Sequence, residues 1–124
     1  YPLGDFLIQI KNAGMAGKKE VTLETSKLID AVAKVLKKEN ILDQISVKDG
    51  MLTVTLAQHN KEAVLLDLKL ISKPGLRKYM NVDDLKTRRR RGASFIVLST
   101  PKGILSSDDC LKQKTGGEAL AEIW

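Results

Sequence analysis

Residues 25–58 read TSKLIDAVAKVLKKENILDQISVKDGMLTVTLAQ, and the spacing of their apolar positions changes part-way along. Over Lys27–Glu39 the spacing is helical. Leu28, Val32, Val35 and Leu36 fall toward one face, and Thr25 and Ser26 supply hydroxyls that can cap the first turn. After Asn40 the period drops to two. Ile41–Lys48 and Met51–Gln58 read as strands, and the Asp49-Gly50 pair between them favours a tight hairpin. A helix feeding a hairpin predicts a mixed fold in which the helix covers one sheet face.

Working outward, residues 2–14 carry Leu3, Phe6, Leu7 and Ile10 at helical spacing, with Pro2 suited to a first turn and Gly14 and Gly17 ending the element. Lys18–Glu24 alternates around Val21 and Leu23 and reads as a short strand. The first half is therefore α-β-α-β-β. His59-Asn60-Lys61 reads as a polar connector. Beyond it, the aliphatic run Ala63–Ile71 predicts a strand, Ser72–Gly75 a turn, Leu76–Tyr79 an extended piece and Asn81–Lys86 one helical turn. Ser94–Leu98 predicts another strand, ending in a tight loop at Ser99–Gly103. Ser106 or Ser107 can cap a short helix over Asp108–Gln113, and Gly116-Gly117 leads into a last strand, Glu118–Trp124. The expected division is an N-terminal α+β domain at 1–61 and a β-rich domain at 62–124.

The 124 residues are 43% hydrophobic but only 4% aromatic, so aliphatic side chains must make the core. The chain begins at Tyr1 rather than Met, so residues are expected to precede it. No uninterrupted apolar run approaches the roughly 18 residues of a membrane span, and no signal-peptide pattern opens the chain. A single cysteine, Cys110, excludes an internal disulfide and suits a reducing cytosol. The net charge is +6, unevenly placed. Residues 1–60 hold 8 basic and 7 acidic residues, whereas 61–124 hold 13 and 8. Within the second half, residues 69–91 hold 9 basic and 2 acidic residues, a net of +7. Such a balance favours an anionic partner, either nucleic acid or a membrane surface, and its concentration in one segment is the footprint expected for phosphates.

Reactive constellations are missing. One His and one Cys leave His59 with Cys110 as the sole nucleophile–base pair to consider. His59 reads as a solvated connector residue and Cys110 as a small buried hydrophobe. Spaced Cys/His ligand pairs are absent, and Asp83-Asp84 and Asp108-Asp109 read as turn and cap residues rather than a metal site. No glycine-rich phosphate loop occurs. The expectation is no enzyme, no cofactor, no metal, no small-molecule substrate and no membrane. Arg88–Arg91 is a run of four arginines, of which no more than two can face one partner. Its expected role is sequence-independent attraction to phosphates.

Three segments give the sequence a family likeness. Ser72-Lys73-Pro74-Gly75-Leu76-Arg77-Lys78-Tyr79, Ile96-Val97-Leu98-Ser99-Thr100-Pro101-Lys102-Gly103 and Gly116-Gly117-Glu118-Ala119-Leu120 resemble, in order, three motifs of the eighth protein of the bacterial small ribosomal subunit. Asp5–Ala13 resembles that family's first helix, and Ser26-Lys27-Leu28 the start of its second. The likeness covers nearly the whole chain.

The resemblance implies an α+β protein in which an α-β-α-β-β domain packs on a small β-rich domain with one short helix. It implies a cytoplasmic protein of the small ribosomal subunit; the lack of a ligand cluster and of a spare amphipathic face in the sequence predicts a monomer when free. Such a protein would bind the central domain of the small-subunit ribosomal RNA, support its assembly and touch neighbouring ribosomal proteins. In some bacteria the family also represses its own operon's messenger RNA. The resemblance implies an RNA surface lined by Tyr79, Ser99, Thr100, Lys102, Gly103, Gly116, Gly117 and Glu118. Secondary contacts would come from Lys11, Asn12, Ser26 and Lys27. Arg77 and, from the arginine run, Arg90 join these candidates. Two positions depart from the family: Pro101 replaces a usual serine, removing a hydroxyl and an N–H, and Cys110 lies away from the usual cysteine. Two other readings compete: a free-standing translational repressor that binds only messenger RNA, and an enzyme built on Cys110 and His59.

Overall fold

The computed structural model describes residues 1–59, 62–63, 67–88 and 94–124, with the side chains of residues 59, 62 and 63 outside that description. Two compact units result, Tyr1–Leu66 and Asp67–Trp124. The fold is α+β.

In the first unit, helix α1 spans Pro2–Met15, strand β1 Glu20–Glu24, helix α2 Lys27–Lys38, strand β2 Leu42–Lys48 and strand β3 Met51–Leu56. The sheet order is β1-β3-β2, with both neighbours antiparallel to β3. Leu52, Val54 and Leu56 alternate inward from β3 onto Leu3, Phe6, Leu7 and Ile10 of α1 and Ile29, Val32, Ala33 and Leu36 of α2, all buried. Asp49 and Gly50 both take positive φ, the type I′ geometry that their pairing favours. Ser26 caps α2, its hydroxyl accepting from the Ile29 N–H at 3.2 Å. Leu28 was expected to face inward but is 38% exposed. The buried stripe centres on Ile29, Val32, Ala33 and Leu36, which puts Leu28 on its flank in the first turn.

The expected connector begins as a strand: β4 (Gln58–His59) pairs with β5 (Glu62–Ala63), while Asn60 and Lys61 lie outside the described residues. Of the expected strand Ala63–Ile71, residues 64–66 also lie outside them. The second-unit part is β6, Leu68–Leu70. It is followed by strand β7 (Tyr79–Met80), helix α3 (Val82–Thr87), strand β8 (Phe95–Thr100), strand β9 (Gly103–Ser106), helix α4 (Ser107–Gln113) and strand β10 (Gly117–Ile123). Asn81 and Asp84 close a capping box on α3, and the Ser106 hydroxyl caps α4. Strand β9 was not expected; its four residues sit between a turn and a helix cap, too short for a period to show.

Strand β10 is central. β8 lies along one side, with β9 beyond it. β6 and β7 share the other side. A bulge at Leu120 shifts the β10–β8 register between Ala119 and Ala121. Glu118 therefore pairs with Ser99 and Glu122 with Ile96, which point to opposite faces of β8. An unbroken strand would have put both glutamates on one face. Glu122 joins the side that carries Leu85, Ile96, Leu98, Cys110 and Ala119, the core beneath α3 and α4.

Cys110 is fully buried in that core. Burial, with Asp109 adding, pushes its thiol up from 9.0 to about 11. The folded chain holds this proton more tightly than the unfolded chain. The stabilisation is thus complete below pH 9.0 and is lost as the pH rises through about 11. Urea midpoints measured from pH 8 to pH 11 should fall more steeply for the parent than for Cys110→Ala. Parallel profiles would contradict the assignment.

Candidate nucleic-acid interface

Between β6 and β7 the chain leaves the sheet edge. Ile71 N–H still donates to Leu120 O, and the next ladder bond runs from Ala119 N–H to Lys78 O, so residues 72–77 are extruded. Lys73 and Leu76 exchange both backbone hydrogen bonds at 2.9 Å around Pro74-Gly75, and Gly75 has φ +80°. This is the type II turn that a Pro-Gly pair favours. Ser72 pins the base of the loop. Its buried hydroxyl donates to Ala119 O at 2.7 Å and accepts from Lys78 N–H at 3.0 Å.

The loop delivers Tyr79 to β10 directly opposite Glu118, and Glu118 is directly opposite Ser99 on β8. Opposed residues of antiparallel strands share a face. Tyr79, Glu118 and Ser99 thus form one row across three strands. Tyr79 is 71% exposed. Among the described residues the Ser99 hydroxyl has no partner. Arg77 reaches the row from the loop, its Nη1 3.3 Å from Glu118 Oε2.

Thr100 behaves differently from its neighbour. Its hydroxyl accepts from Lys102 N–H at 3.1 Å and donates to Gly103 O at 2.7 Å, closing the two-residue turn Pro101-Lys102. Pro101 takes the first turn position without a positive φ, as its ring requires. Lys102 Nζ donates to Gln113 O at 3.0 Å. Gly116 and Gly117 are needed for space: a Cβ on Gly116 would lie 2.4 Å from Met80 O, and one on Gly117 2.1 Å from Ser99 O. These two glycines let β10 nest between β7 and β8.

The first-unit candidates lie on two helices. Lys11 and Asn12 lie in the C-terminal turns of α1. Ser26 and Lys27 begin α2, where the Ser26 hydroxyl already accepts a helix N–H. Arg90 lies outside the described residues, as do Arg89 and Arg91.

Arg88 is described, and it turns inward. Its guanidinium donates to Ser94 O at 2.9 Å, to Ser94 Oγ and Ser107 Oγ at 3.4 Å, and to Glu122 Oε2 at 3.3 Å. Sequence reading missed this role. The available signal was two polar residues, Ser94 and Glu122, set against apolar runs.

The motif order, the topology and the buried positions are consistent with one known family, and the family model described as ribosomal protein S8 matches residues 1–124. The chain belongs to the ribosomal protein S8 family. Relatives named small ribosomal subunit protein uS8 include one from Nitratidesulfovibrio vulgaris (strain DP4), 33% identical over 123 residues covering 99% of this chain and 97% of the relative. Another, from Persephonella marina, is 36% identical over 133 residues with the same coverage. A third, from Acholeplasma laidlawii, is 40% identical over 127 residues, covering 99% and 96%. As a member of the S8 family the chain is a ribosomal protein and not an enzyme. No helix among the described residues is long and apolar enough to cross a membrane.

Proposed function

We propose that the protein is a structural component of the small ribosomal subunit that binds the central domain of the small-subunit ribosomal RNA directly and supports its assembly. The observation that carries the reading is the Tyr79–Glu118–Ser99 row. Structured RNA is recognised by shape, 2′-hydroxyls and unstacked bases, and the row offers an aromatic face, a carboxylate acceptor and an uncommitted hydroxyl. Lys102, Gly103, Gly116 and Gly117 serve as further contacts, and the basic residues of 69–91 other than the inward Arg88 and the Glu118-paired Arg77 supply attraction to phosphates. Lys11, Asn12, Ser26 and Lys27 serve as secondary contacts, and Arg90 as a contact from the arginine run. In this reading the protein is monomeric when free and works in the cytoplasm beside neighbouring small-subunit proteins. It needs no metal or nucleotide of its own. The same surface would accept an operon messenger RNA that folds into the same motif. Co-sedimentation with small subunits separates a subunit component from a free-standing repressor.

A footprint of the protein on small-subunit ribosomal RNA tests the reading: protection confined to the central domain is expected, and none there refutes it. Two substitutions test the row. Ser99→Ala should cost about 1–2 kcal/mol of specific RNA binding with melting unchanged, because its hydroxyl holds nothing in the free protein. Thr100→Val should instead lower stability by about 1 kcal/mol, because its hydroxyl closes the turn. Equal effects of the two on both quantities would refute the division of roles.

A further inference from the structure

The row contains an acid where an RNA backbone is expected. The Glu118 side chain is 19% exposed, and Arg77, at 47%, meets its Oε2 at 3.3 Å. Arg77 is not simply a mobile surface cation. The segment that carries it is anchored on one side by the Lys73–Leu76 turn and on the other by Ser72 and Lys78. So half-exposed an ion pair adds little to folding stability, and stability alone does not account for the pairing of Arg77 with Glu118.

We propose that Arg77 is a positioning residue for Glu118. It neutralises the carboxylate and occupies Oε2, leaving Oε1 to accept a hydrogen bond from RNA. The centre of the row then carries no net charge, so it discriminates by shape and hydrogen bonding, while phosphate attraction is supplied from elsewhere. This rests on the RNA-binding reading above. A bare carboxylate at this place would repel phosphates, and like charges juxtaposed across an interface are costly. A bare arginine would attract any RNA.

The test compares the parent, Arg77→Gln, Glu118→Gln and the double variant on central-domain ribosomal RNA and on scrambled RNA, across a salt series. Thermal melts confirm that all four are folded. Arg77→Gln should lose specific affinity on the order of tenfold, and the double variant should recover to within about threefold of the parent, because the amide keeps an acceptor and the charge is gone. The double variant's salt slope should match the parent's. Glu118→Gln alone should bind scrambled RNA more tightly and steepen the slope by up to about one unit. A double variant as weak as Arg77→Gln, with a slope flattened by about one, would make Arg77 a phosphate contact and overturn the proposal. An Arg77→Gln protein that binds like the parent overturns it as well. A parent that does not distinguish the two RNAs removes the RNA-binding reading itself, and the proposal with it. A parent that does distinguish them, without rescue in the double variant, overturns the proposal alone.

Discussion

Arg88→Ala is expected to lower folding stability by about 3–5 kcal/mol, the range for breaking a buried ion pair from one side. The Arg88 side chain is 7% exposed and that of Glu122 14%. Truncation would leave the Glu122 carboxylate with the Ser94 hydroxyl, and would remove the donor to Ser94 O. Those contacts tie the start of β8 and the first turn of α4 to β10, so the loss should be global rather than local. Arg88→Lys should recover only part of it, since an ammonium cannot reproduce the fork that reaches Ser94, Ser107 and Glu122 together. Arg88→Met combined with Glu122→Leu should be milder than Arg88→Ala, because neither charge is then left buried and alone. Urea midpoints for the three variants check the order. The RNA salt slope of folded Arg88→Ala should stay at the parent value, because an inward guanidinium displaces no counterions. An unchanged midpoint with a flattened slope would instead put this side chain on RNA.

Arg88 also marks a limit of sequence reading. As the first of four arginines it reads as part of a solvated run, because nothing local separates it from Arg89. Its acceptors come from residues 94, 107 and 122, and only the sheet brings them together. The α2–β2–β3 stretch was legible because its signals are local: a hydroxyl cap, a helical stripe and an Asp-Gly turn. Tyr79, Ser99 and Glu118 could each be singled out, but their alignment depends on pairings between distant segments. The bulge at Leu120 was not legible at all. Ala119, Leu120 and Ala121 are all buried, so no alternation remains to show where the register shifts. That shift alone decides which glutamate joins the row and which meets Arg88. Thr100 was placed with Ser99 on the implied RNA surface. The turn that claims its hydroxyl needs Gly103 O and Lys102 N–H at fixed distances, which the motif's letters do not convey.

Gly117→Ala is expected to cost about 3 kcal/mol of stability and to damage the RNA-binding row in the chains that still fold. The added Cβ would sit 2.1 Å from Ser99 O, 2.9 Å from Ser99 C and 3.0 Å from Thr100 Cα. All three are backbone atoms, so no rotamer change relieves the overlap, and β10 must move away from β8. Gly117 does not take a positive φ, so the requirement is for space rather than for a special backbone conformation. The displaced residues are the ones next to the Glu118–Ser99 pair. Specific RNA affinity should therefore fall more than the unfolded fraction explains, while binding to scrambled RNA, driven by charge elsewhere, changes little. Calorimetric melting, followed by RNA titration well below the variant's midpoint, separates the two effects. If Gly117→Ala melts and binds like the parent, the β10–β8 contact is looser than the structure places it, and the row has no fixed geometry to offer an RNA.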